Sequence, residues 1–62
     1  MKEIKIYNEI GELLIHFYKS NEDNMWGLFC YDGQYKNGVY NTEAVMEIRE
    51  IYKKIYSDIE EK

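Results

Sequence analysis

Apolar and polar positions alternate with a period of two over the first half of the chain, then recur every three to four residues over the last third. Residues 2–7, KEIKIY, set Ile4 and Ile6 on one side and Lys5 and Tyr7 on the other. That is the pattern of a half-buried strand. Asn8 and Gly11 follow as turn formers. Residues 12–19, ELLIHFYK, carry Leu13, Ile15 and Phe17 on one face and Leu14, His16 and Tyr18 on the other. Both faces are largely apolar, so this strand belongs in the middle of a sheet. After the polar SNEDN, residues 25–31 (MWGLFCY) alternate Trp26, Leu28 and Cys30 with Met25, Phe29 and Tyr31. Asp32-Gly33 then signals a tight hairpin. It leads to a short fourth strand over 34–36, and Asn37-Gly38 marks a second turn.

From Asn41 the period is helical. Asn41 or Thr42 can cap a helix that has Glu43 in its first turn. Val45, Ile48, Tyr52, Ile55 and Ile59 recur at helical spacing, and Ala44 and Ile51 widen the stripe to that of a core-facing helix. The spacing predicts a helix over 42–60. The fold class is therefore α+β, as one compact domain over 1–62. Its antiparallel meander has three strands, with the short fourth, followed by one C-terminal helix packed on one face. That helix should cover Ile4, Ile6, Leu13, Ile15, Phe17, Trp26, Leu28 and Cys30.

One helix covers only one face of a sheet. Tyr7, Leu14, Tyr18, Met25, Phe29 and Tyr31 would remain as a contiguous exposed patch, which soluble monomers seldom tolerate without a function. Residues 25–40 hold half of the chain's aromatic rings, and on this reading they are core on one side and interface on the other. A second copy of the chain is the simplest cover and would give a homodimer. A different protein is the next. Stacked nucleobases are a third. A register slip of one residue would exchange the two faces.

Size sharpens the point. A 62-residue domain buries only about 60% of its unfolded surface and often needs a staple. The single cysteine, Cys30, excludes an internal disulfide, and one histidine without a Cys/His cluster gives no zinc site. No apolar run reaches the roughly 18 residues of a membrane span. MKEIKIYNE is no signal peptide, and a lone thiol fits a reducing compartment, so a cytoplasmic location and no membrane contact are expected. Net charge is −4, from 12 acids and 8 bases. That disfavours direct binding to nucleic-acid phosphates and suits a basic protein partner.

Catalytic chemistry is not legible. Cys30 and His16 could pair as nucleophile and base, but alternation points them to opposite faces. No cofactor or metal ligand set is seen. Glu22-Asp23 lacks the spaced ligands of a calcium loop, and the chain is short for a cleft of roughly 300 Å³. It reads as a non-enzyme. The candidate partner-binding acids are Glu22, Asp23 and Asp32 in loops, then Glu47 and Glu50 on the exposed helix side. Asp58, Glu60 and Glu61 would oppose the helix dipole, either as a solvated, frayed tail or as an acidic surface. The reading is a small acidic protein-binding module that inhibits or modulates a partner. In size and charge it resembles the small acidic inhibitors made by phages and mobile elements, a likeness of profile that covers no motif. The likeness implies a nucleic-acid-binding or defence protein as target. The alternatives are a nucleic-acid module that uses the aromatic face, or a small structural or regulatory subunit.

Overall fold

The computed structural model describes residues 2–19 and 23–62. Among them, β1 (Lys2–Tyr7), β2 (Leu13–Lys19), β3 (Met25–Cys30), β4 (Gly38–Asn41) and β5 (Asp58–Glu61) form one sheet, in the order β4-β3-β2-β1-β5. All neighbours are antiparallel. The helix α1 (Thr42–Lys53) lies between β4 and β5 in the chain and packs on one sheet face. The α+β class and the central β2 are as the hydrophobic pattern indicates.

The core follows the alternation except at Leu13, which the pattern places under the helix but which is half-buried outside the core cluster, opposite Tyr7. Ile4, Ile6, Ile15, Phe17, Trp26 and Leu28 from the sheet meet Val45, Ile48 and Tyr52 from the helix, and all are buried. The helix starts where expected. Asn41 Oδ1 accepts the Ala44 N–H at 2.8 Å, satisfying one of the donors that a helix start leaves open. Trp26 Nε1 donates to Thr42 Oγ1 at 3.0 Å, which ties β3 to that first turn.

Three expectations need correction. The helix does not run to residue 60. It ends at Lys53, where the Ile55 and Tyr56 N–H groups both turn back to the Tyr52 carbonyl. Residues 58–61 instead return as β5 beside β1, pairing Ile6 with Ile59 and Lys5 with Glu60. The physical reason is the open edge of β1, whose backbone groups would otherwise stay unpaired. Ile59 packs on the core from the strand, while Ile55 drops out of the stripe and is 70% exposed. Arg49 clamps the return: its Nε reaches Glu61 Oε1 at 3.1 Å and its Nη2 reaches Glu61 Oε2 at 2.7 Å. That fork raises the arginine's pKa and lowers the carboxyl's.

The fourth strand is Gly38–Asn41 and not residues 34–36. Asp32-Gly33 opens a wider loop over 31–37 in place of a two-residue hairpin. Asp32 Oδ1 accepts the Gln34 N–H at 3.2 Å, Gly33 takes φ 77°, and Asn37 Oδ1 accepts the Cys30 N–H at 2.7 Å. Tyr35 folds inward and packs on the core. Lastly, a bulge falls between Ile6 and Tyr7, with Ile6 opposite Ile15 but Tyr7 opposite Leu13. The extra residue is Leu14, so strict alternation fails there. Leu14 packs against the core cluster and leaves the exposed patch to which alternation assigned it.

Candidate functional site

The face of the sheet away from α1 is the candidate site, and the strand register lays it out in rows. Val39, Gly27, Tyr18 and Glu3 form one row; Phe29, His16, Lys5 and Glu60 form the next. Met25 lies beyond the first row, opposite Asn41 on β4. The face is thus divided. Its β4-β3-β2 half is apolar and aromatic, and its β1-β5 half is charged.

Gly27 shapes the apolar half. A Cβ there would stand 2.5 Å from Cζ and 2.8 Å from the hydroxyl of Tyr18, so only glycine leaves room for that ring to lie across the strand. The ring then stacks on Phe29, with centroids 5.7 Å apart and planes 11° apart. His16 tilts against both rings, at 5.9 Å and 6.2 Å. The His16 Nε2 atom is buried and makes no hydrogen bond; it faces Glu3 Oε1 at 3.8 Å, a charge contact only when the imidazole is protonated. Around this stack, Met25 is 42% exposed, Phe29 39% and Val39 68%. Val39 is an addition to the expected set, legible only once β4 is placed over Gly38–Asn41.

Of the expected interface residues, Tyr18, Met25 and Phe29 come together here. Tyr31 lies just past β3, exposed, with its N–H on the Leu14 carbonyl. Tyr7 lies in the charged half. Its hydroxyl donates to Glu60 Oε1 at 3.4 Å, and its pKa is raised by desolvation and by the charges of Glu60, Asp58 and Glu3. Lys5 Nζ sits 3.9 Å from Glu3 Oε1. Lys62 is paired with Glu3 through two backbone hydrogen bonds of 2.8 Å, so along this flank Glu3, Asp58 and Glu60 outnumber Lys5 and Lys62 by three to two.

The expected acids are not gathered in one place. Glu22 lies outside the described residues. Asp23 and Asp32 flank opposite ends of β3, and Asp23 Oδ1 accepts the Met25 N–H at 3.1 Å. Glu47 is exposed on α1, and Glu50, also exposed, pairs with Arg49. Asp32 is turned into the fold. It accepts hydrogen bonds from the Tyr52 hydroxyl at 2.8 and 2.9 Å and from the Cys30 thiol at 2.9 Å. Burial alone would raise its pKa, but these donors outweigh burial and lower it. Tyr52 is pushed up, first by burial and then by its hydrogen bond to Asp32.

Cys30 packs toward the core, on the side of the sheet opposite His16. Among the described residues no three His, Cys, Asp or Glu side chains group as a metal site, and no helix is long and apolar enough to cross a membrane. The expectation that the chain is too short for a cleft near 300 Å³ fails: helix and loop 31–37 border an open cleft of about 310 Å³. Compared with protein-family models, with curated proteins and with solved structures, the chain matches none.

Proposed function

We propose that the protein is a small acidic protein-binding module that docks through the outer sheet face and so inhibits or modulates its partner. The observation that carries this reading is the divided face: Met25, Phe29 and Val39 stay exposed around the Tyr18 stack, beside a flank where the acids Glu3, Asp58 and Glu60 outnumber the lysines Lys5 and Lys62. Covering what remains exposed of Phe29 and Met25 would contribute about 1 kcal/mol each. The acidic flank suits a protein surface with an apolar centre and a basic border, since complementary charge selects partners and speeds encounter. The same flank repels nucleic-acid phosphates, which weighs against base stacking on Tyr18 and Phe29.

Titration of a purified partner, recovered by affinity capture, tests the reading. Met25→Lys with Phe29→Lys should weaken binding at least 100-fold and leave the far-ultraviolet spectrum unchanged. Asp58→Asn with Glu60→Gln should slow association and flatten its salt dependence. Sedimentation of the chain alone at micromolar concentration separates the rival occupant. A dimer abolished by the lysine variants would assign this face to a second copy. Tighter oligonucleotide binding by the charge-neutralised variant would refute the protein-binding reading.

A further inference from the structure

A second feature lies on the helix side, away from Met25 and Phe29. Where α1 ends, Asp32 and Tyr35 face Ile51, Tyr52, Ile55 and Tyr56 across the cleft of about 310 Å³. The three tyrosine rings form a row, with Tyr35–Tyr52 centroids 6.2 Å apart and Tyr52–Tyr56 centroids 6.1 Å apart. Asp32 supplies the only acidic side chain among the described residues of this lining. Its donors are the Tyr52 hydroxyl, the Cys30 thiol and the Gln34 N–H, all neutral. Among the described residues no lysine, arginine or histidine pairs with it. The carbonyl end of α1 adds partial negative charge to the same corner. Lys53 and Lys54 at that helix end are exposed and do not line the cleft.

We infer that this cleft is a subsite for a cationic side chain on a long apolar arm, an arginine or lysine presented by a peptide segment. Tyr52 is buried, so the half-buried Tyr35 and Tyr56 are the rings that can attract a guanidinium or ammonium group. Ile51 and Ile55, 46% and 70% exposed, would receive the methylene arm. Asp32 would supply the opposite charge that the fold leaves without a cation. The volume sits at the small end of ligand sites and suits one side chain. Because the cleft is on the other side of the sheet from the docking face, either proposal can fail alone.

The test is two-dimensional NMR of the full chain, titrated with a capped Gly-Arg-Gly peptide, its citrulline counterpart and agmatine. The arginine peptide should give saturable shifts at the rings of Tyr35, Tyr52 and Tyr56 and at the Ile55 methyls. Citrulline, which is neutral and nearly isosteric, should bind at least tenfold more weakly. Gln34→Lys places a competing cation on the exposed rim; it should weaken the peptide several-fold with an unchanged melting temperature. Equal shifts with arginine and citrulline, or no saturation at these residues, would overturn the inference. Agmatine binding with the peptide excluded would overturn the peptide-borne form of it.

Discussion

Gly27→Ala tests how the outer face is built. The added methyl would overlap the Tyr18 ring, whose Cζ lies 2.5 Å from where the new Cβ must stand. Strand backbone cannot move far without breaking the ladders to β2 and β4, so the ring has to swing off Gly27 and off Phe29. Losing the stack costs about 0.5–1.5 kcal/mol, and misfit at a packed site typically costs about 1–3 kcal/mol. A free tyrosine end can yield, so the lower part of that range applies. Against it stands the entropy that alanine removes from the unfolded chain, worth about 0.4–1 kcal/mol of stabilisation. The net expectation is a loss of about 1 kcal/mol for Gly27→Ala. In a Tyr18→Ala background the clash is gone, and the same change should stabilise by about 0.5 kcal/mol. The coupling in the double-mutant cycle is therefore about 1.5 kcal/mol. Urea unfolding followed by fluorescence of Trp26, the chain's one tryptophan, measures all four corners. Additive effects, with coupling near zero, would show that Tyr18 does not lie over Gly27, and the ordered aromatic strip would go with it.

Further outcomes follow from burial and charge. Ile48→Ala should cost about 2–5 kcal/mol, whereas Ile55→Ala, on a residue 70% exposed, should stay within about 0.5 kcal/mol; equal losses in urea melts would restore the longer helix. Tyr52→Phe should cost about 1–3 kcal/mol, since it removes a hydrogen bond to an ionised carboxylate. The depressed folded pKa of Asp32 means that its ionisation stabilises the fold above the unfolded value of about 3.9. This contribution is lost as pH falls through the folded value, so acid titrations of stability should be steeper for the wild type than for Asp32→Asn. Tyr52 has the opposite sense: its raised folded pKa should cost stability as pH climbs above about 10.

Much of this fold is legible in local pattern. Alternation over residues 2–7, 13–19 and 25–30 identifies three strands and six of the buried core residues, because each strand has one dry face. The helix start is legible in Asn41 and Glu43. Its end is not, because Ile55 and Ile59 continue a helical stripe by coincidence of spacing, and Glu-rich DIEE has little strand propensity of its own. Pairing with the open edge of β1 decides that segment, and such a partner is invisible locally. One signal did exist: Asp58, Glu60 and Glu61 would crowd the negative end of a helix, an arrangement that argues the helix has already stopped. The site is legible to the same degree. Tyr18, Met25 and Phe29 follow from alternation. Leu14 is lost to a bulge that no residue type announces, and the acidic flank waits on β5. Asp32 reads as an exposed hairpin residue because nothing near it in sequence reveals Tyr52.

The outer sheet face is the proposed docking surface. Methyl cross-saturation NMR measures it most directly, with the purified partner irradiated and the chain's own methyls observed. Transfer should reach Met25 on β3 and Val39 on β4 and spare Ile15 and Val45 in the core. Met25 and Val39 left unsaturated while Ile10 or other distant exposed methyls respond would contradict the claim and move the interface elsewhere.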